Sequence, residues 1–262
     1  MRITGKQKIL DGVGSAVDGL FLTAPRLAAP FRPRRGISRE AYEAQIDFYI
    51  DNNYTRQPET FFSFPETAPA WTLEEESPCF DGNRQIVSFA SGYEVRNPGI
   101  RESYHAFTAN RTGWLVRWTH GDTGRKTVLC LHGYMLGEPN QAERMFGVKK
   151  LFAAGLDVAL YITPFHWRRA PAQKRRRGIF LQPDNVPMTC ECFGQAMYDL
   201  ESTRLVLKNM GAGEIGLIGA SLGGYNAALY AALCGEVHFA ALIVPAVSLD
   251  GPLGPASARL PF

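Results

Sequence analysis

One pentapeptide constrains this chain more than any other stretch. Gly219-Ala220-Ser221-Leu222-Gly223 follows the apolar run Glu214-Ile215-Gly216-Leu217-Ile218 and leads into the small-residue stretch Gly224-Tyr225-Asn226-Ala227-Ala228-Leu229-Tyr230. The pattern reads as strand, sharp turn and helix around a single serine. A residue held in a strained turn needs neighbours two positions away without side chains, because the returning helix would otherwise collide with the strand it has just left. Gly219 and Gly223 meet that need.

A second segment points the same way. Thr127-Val128-Leu129-Cys130-Leu131 is an apolar strand that stops abruptly at His132-Gly133-Tyr134. Together the two segments resemble the α/β-hydrolase superfamily, over roughly residues 114–249. The resemblance implies that Ser221 is a nucleophile on a strand-to-helix elbow. It also implies that the backbone N–H groups of Tyr134 and Leu222 stabilise the oxyanion of a tetrahedral intermediate. In such proteins the histidine at the position of His132 braces the loop that carries the first donor.

Composition narrows the class. The chain has 262 residues, is 45% hydrophobic and carries a formal net charge of +3. With no run of about 18 apolar residues, it reads as a soluble, cytoplasmic globular chain with one large core. Its small net charge gives no reason to expect a nucleic-acid partner. The five cysteines are scattered; Cys130 and Cys234 sit in apolar contexts as small core residues, and no zinc-type spacing occurs. No metal or cofactor is expected, and no feature encodes an oligomeric state.

The periodicity divides the chain at residue 80. Residues 1–80 read as an N-terminal extension and covering segment. It holds an amphipathic helix over residues 7–22 that packs on the domain or touches a membrane surface, a proline-rich break, a short helix over residues 41–49, and an irregular stretch over residues 56–78. Residues 81–262 read as the core. Short strands at residues 85–90, 93–96, 104–109 and 114–119 suggest an antiparallel entry to a sheet. Strands at residues 127–131, 158–162, 214–219 and 240–247 then alternate with helices at about residues 141–154, 191–210 and 222–233. Such alternation implies a mostly parallel sheet flanked by helices, with its ligand crevice at the carboxyl ends of the strands.

Tyr134 and Leu222 both fall just past carboxyl ends, so pattern and motif agree. Phe165, His166 and Trp167 open toward the same edge and are candidate walls of an acyl pocket, or else loop aromatics packed on a neighbouring element. The basic run from Arg168 through Lys174, Arg175, Arg176 and Arg177 reads as a solvated loop, with an anion site beside the crevice as the alternative.

The mechanism lacks its base. A serine hydroxyl needs a general base oriented by an acid, and the residues after Ser221 contain one histidine, His238, and one aspartate, Asp250. His238 precedes the last strand and so lies at the wrong edge, roughly 17 Å from the serine. Asp250 ends that strand at the right edge and is the candidate acid. His132 and His166 lie at the right edge too, but each precedes the serine. The expectation is a serine-hydrolase-type domain that acts on an ester, thioester or amide of a small-molecule acyl substrate through an acyl-Ser221 intermediate. Its C-terminal strands are expected to be missing, and the alternative is a non-catalytic binding protein on the same fold. An exposed edge at residues 240–247 would promote aggregation.

Overall fold

A computed structural model describes residues 37–171, 179–182 and 185–246. Its elements are α1 (Arg39–Asp51), β1 (Trp71–Cys79), β2 (Gly82–Ala90), α2 (Arg101–His105), β3 (Thr112–Thr119), β4 (Thr127–Leu131), α3 (Pro139–Met145), α4 (Val148–Ala153), β5 (Asp157–Tyr161), α5 (Val186–Asn209), β6 (Ile215–Ala220), α6 (Leu222–Leu233) and β7 (Ala240–Ile243). The strands form one sheet in the order β1-β2-β3-β5-β4-β6-β7. β1, β2 and β3 pair antiparallel with each other and β3 with β5, whereas β5-β4, β4-β6 and β6-β7 are parallel. The expected antiparallel entry followed by helix-flanked parallel strands is observed, in a mixed sheet that is parallel only in part rather than mostly parallel.

The central strands are apolar throughout because both faces are covered. Every residue of β4 and β5 is buried. Successive residues serve opposite layers, as the period-two geometry of a strand requires. Leu129 and Leu131 join the core formed with Met197, Leu200, Leu222 and Ala227 of α5 and α6, while Val128 and Cys130 join Ala142, Phe146, Val148 and Phe152 around α3 and α4.

The segment before the sheet is anchored by one carboxylate. Glu191, fully buried on α5, accepts from the Tyr49 hydroxyl at 3.0 Å, the Tyr93 hydroxyl at 2.7 Å, and the backbone N–H groups of Arg96 at 2.9 Å and Asn97 at 3.1 Å. Four donors compensate a desolvation that pushes this carboxyl above its usual range. α1 and the loop after β2 are thereby fastened to α5.

Four expectations need correction. Residues 56–78 are not wholly irregular, since β1 begins at Trp71 and pairs with β2; the division at residue 80 thus falls within a β-hairpin. Pro78 is tolerated because β1 is an edge strand. Residues 93–96 and 104–109 are not strands but a loop, α2 and a 3₁₀ turn. Their aromatic spacing serves α5, where Tyr93 reaches Glu191 and Tyr104 reaches Gln195. The single helix expected at residues 141–154 is broken at Gly147, whose φ of 60° lies in the left-handed region and separates α3 from α4. β7 ends at Ile243, and Asp250 lies outside the described residues, as do residues 7–22 and the basic cluster Lys174 to Arg177.

The two sheet edges differ in character. β1 presents Glu74, Glu75 and Glu76, all exposed, a charged edge that resists further pairing. All four residues of β7 are exposed and none is charged.

Candidate functional site

Ser221 occupies the turn between β6 and α6 with φ 53° and ψ −116°, a backbone conformation that side chains rarely adopt. Its surroundings hold it there. The Ser221 N–H donates to Ile243 O at 3.0 Å, and Ser221 O accepts from Tyr225 N at 3.0 Å and Ala246 N at 3.2 Å. The flanking glycines are required by contact. A Cβ on Gly219 would stand 2.2 Å from Gly223 O, and one on Gly223 would stand 2.0 Å from Leu131 O.

The loop after β4 abuts this turn. A Cβ on Gly133 would lie 3.5 Å from both Ser221 Cβ and Ala220 O, so the loop at Gly133 packs against the serine's turn. Leu222 is the first residue of α6, and its N–H is one the helix itself cannot satisfy. Tyr134 is half-buried with its ring 6.0 Å from that of His166; burial pushes its hydroxyl up to about 12.

Two buried histidines bind the carboxyl-edge loops together. His132 Nδ1 donates to Gly133 O at 2.9 Å, and its Nε2 accepts from Thr163 N at 3.2 Å. His166 Nδ1 donates to Pro164 O at 2.8 Å, and its Nε2 accepts from Met135 N at 3.1 Å. The rings lie 4.9 Å apart. Each ring has one donating and one accepting nitrogen, the pattern of a neutral imidazole. Burial lowers the His132 pKa from 6.5 to about 3 and the His166 pKa from 6.5 to about 4. All four ring nitrogens are thus engaged with backbone.

These partnerships decide how the histidines relate to Ser221. Among the described residues, no histidine nitrogen is hydrogen-bonded to the Ser221 hydroxyl. His120 stacks on Phe152 and contacts Asp157 at the start of β5. His238 is exposed, and its backbone N–H bonds Ile215 O at the amino end of β6, the edge expected for it.

The aromatic candidates for a pocket wall go elsewhere. Phe165 is fully buried, with its ring 5.6 Å from Tyr104 and 5.3 Å from Phe107, and is core. Trp167 packs edge-on against Trp114 at 6.0 Å, and the Arg168 guanidinium lies over both rings. A groove of about 280 Å³ beside the elbow is lined by Tyr225, Ala228, Leu229, Leu242, Pro245 and Ala246.

Sequence reasoning missed the device that shapes the loop after β5. Arg169 is not solvated but fully buried, paired with Asp199 at 2.5 Å and donating to Ile162 O and Asn110 O at 3.0 Å each. Asn110 Oδ1 in turn accepts from Phe165 N at 2.9 Å. Two non-glycine residues of this loop, Phe165 at φ 62° and Trp167 at φ 46°, adopt left-handed backbone. The signal available was Asp199 in line with Glu191 and Gln195 on one face of α5, all buried, a polar stripe that calls for partners.

Among the described residues, no group of three or more His, Cys, Asp or Glu is arranged to hold a metal. No described helix is long and apolar enough to cross a membrane.

No family model matches the chain. Two uncharacterized proteins of Mycobacterium tuberculosis, from strains CDC 1551 and H37Rv, are each 28% identical over 241 residues, which is 90% of this chain and 56% of theirs. The chain therefore spans little more than half the length of the curated relatives it matches. Among solved structures, a candidate acetyl xylan esterase from Bacteroides fragilis superposes with a TM-score of 0.50 at 13% identity, over 84% of this chain and 58% of that one. An acetyl xylan esterase from Paenibacillus sp. R4 gives 0.44 at 14% identity, over 82% and 62%. The fold is that of the α/β-hydrolases.

Proposed function

We propose, on the premise of this α/β-hydrolase fold, that the chain carries the nucleophile half of a serine hydrolase acting on an ester, thioester or amide through an acyl-Ser221 intermediate. The observation that carries the reading is the backbone of Ser221, strained at φ 53° and ψ −116° and held between two glycines that admit no Cβ. Strain of this kind persists where surrounding structure over-determines it, and it concentrates at functional positions.

In this reading the Leu222 N–H, at the head of α6, and the Tyr134 N–H, on the loop over Ser221, receive the oxyanion. The attacking hydroxyl still requires a base. The five histidines of the chain are His105, His120, His132, His166 and His238, and none is bonded to Ser221 Oγ. The reading assigns no base among these histidines and keeps Asp250 as candidate acid.

An oxyanion hole without its base retains a rate advantage of about 10³–10⁴ over water in other serine hydrolases. The native chain is therefore expected to react slowly with a fluorophosphonate at Ser221 alone, and the adduct should vanish in Ser221→Ala. Peptide mapping after incubation with the probe tests this. A native chain that leaves Ser221 unmodified would favour the second reading, a binding protein that retains the fold, for which the absence of a histidine on Ser221 Oγ speaks.

A further inference from the structure

The loop over Ser221 contains a tight turn of an unusual kind. Leu136 N donates to Gly133 O at 3.2 Å, which makes Tyr134 and Met135 the two central residues. Met135 has φ 60°, whereas Tyr134 is not among the residues with positive φ. A left-handed residue at the second central position alone is the mark of a type II turn, which ordinarily requires glycine there. A methionine at that position favours type I instead. The two types differ by a flip of the peptide that joins the central residues, here Tyr134 to Met135.

The N–H of that peptide is the one that donates to His166 Nε2 at 3.1 Å. The preceding peptide, which contains Gly133 O and the Tyr134 N–H, is held by His132 Nδ1 at 2.9 Å. Consecutive peptide planes on the two sides of Tyr134 are thus each fixed by a different histidine. His166 is itself fixed from behind. Its Nδ1 donates to Pro164 O, its N–H donates to Thr163 O at 3.2 Å, and the loop around it is clamped by Arg169, Asp199 and Asn110.

We propose that His166 is a positioning residue of the serine site: by accepting the Met135 N–H it holds the Tyr134–Met135 peptide in the type II orientation against the preference of methionine, and so fixes the turn whose preceding peptide, held by His132, carries the Tyr134 donor. The catalytic consequence rests on the serine-hydrolase reading; the peptide's orientation does not. Without the acceptor the peptide turns over, the loop relaxes, and Ser221 acylates slowly although its elbow is intact.

Two amide substitutions separate the functions of the ring. In His166→Gln the side-chain oxygen reaches the place of Nε2 and can accept from Met135. In His166→Asn the amide reaches only the place of Nδ1, keeping Pro164 and losing Met135. Backbone hydrogen exchange and the fluorophosphonate rate at Ser221 are measured on both. His166→Asn is expected to speed exchange at the Met135 amide by about tenfold or more, and to slow acylation about 10- to 100-fold with little change in the probe concentration that half-saturates the rate. His166→Gln should recover most of both. Adding Met135→Gly to His166→Asn should restore acylation, because glycine favours type II without help.

Equal behaviour of the Asn and Gln variants, or no recovery with Met135→Gly, would overturn the proposal. If wild-type Ser221 never reacts, the hydrolase reading falls, while exchange at Met135 still decides whether His166 holds the peptide.

Discussion

Arg169 and Asp199 meet 2.5 Å apart with both side chains fully buried, joining the loop after β5 to the middle of α5. Asp199 also accepts from Ser91 Oγ at 2.6 Å, and burial raises its pKa against the pull of the guanidinium. Removing one member of such a pair strands an uncompensated charge. Arg169→Met should therefore cost about 3–5 kcal/mol in denaturant-induced unfolding, and Arg169→Met combined with Asp199→Leu should cost less than the single change. A single variant within about 1 kcal/mol of wild type would show that the pair does not anchor this loop.

The glycines of the elbow and of the loop above it make opposite demands. Gly223→Ala places a methyl 2.0 Å from Leu131 O, backbone that cannot yield, and should destabilise by about 3 kcal/mol or more. Gly133→Ala meets its neighbours at 3.4 to 3.5 Å, ordinary contact, so stability should stay within about 1 kcal/mol. Its new methyl nevertheless crowds Ser221, and the fluorophosphonate rate should fall. Thermal melts beside labelling rates distinguish the two kinds of glycine.

Acid should weaken the fold partly through the paired histidines. In the folded chain His166 stays neutral down to about 4, whereas the unfolded chain takes up the proton near 6.5. The unfolded state thus binds more protons between these values, so this contribution is complete above about 6.5 and is lost as pH falls toward about 4. His132, the Tyr134 hydroxyl and Arg169 are the titratable and charged groups that face the ring. Wild type should lose stability faster than His166→Asn over this window, by up to about 1.4 kcal/mol per pH unit. Parallel slopes in urea melts at several pH values would contradict that.

The β7 edge should make the chain self-associate. Phe239, Leu242, Ile243 and Val244, in and beside β7, are 44%, 42%, 48% and 56% exposed, at an uncharged strand that among the described residues pairs only with β6. Sedimentation should show species that grow with loading concentration, and Leu242→Lys with Val244→Lys should return the chain to a monomer. A wild-type chain that stays monomeric as concentration rises would refute this.

The parallel half of the sheet was legible because its strands are uniformly apolar and its turns carry strong punctuation at His132-Gly133 and Gly219-x-Ser221-x-Gly223. The region of residues 91–111 was not. Tyr93, Tyr104 and Asn110 owe their spacing to partners on α5, and local periodicity cannot distinguish a side chain that reaches a distant helix from one that lines a strand. At the site, Ser221 and its glycines could be read because strain needs specific small residues nearby. His166 could not, since its bond to Met135 joins loops 31 residues apart. Arg169 was hidden in a basic run for the same reason, its partner being 30 residues away.

The serine's backbone depends on three strands. Its turn is shaped by Leu131 of β4, by Gly219 of β6 and by the bond from Ser221 N to Ile243 of β7, and β4 enters the sheet between β5 and β6. A fragment that ends before β7 lacks the bond from Ser221 N to Ile243 O that helps to hold the strained turn. On the proposed serine-hydrolase reading, any heightened reactivity at Ser221 should be a late arrival in folding, gained when the pairing of β4 with β6 and of β6 with β7 closes. If Ser221 is the nucleophile proposed, it is withheld from solution chemistry until the sheet around it is assembled, and a Ser221 adduct appearing during refolding would mark that assembly.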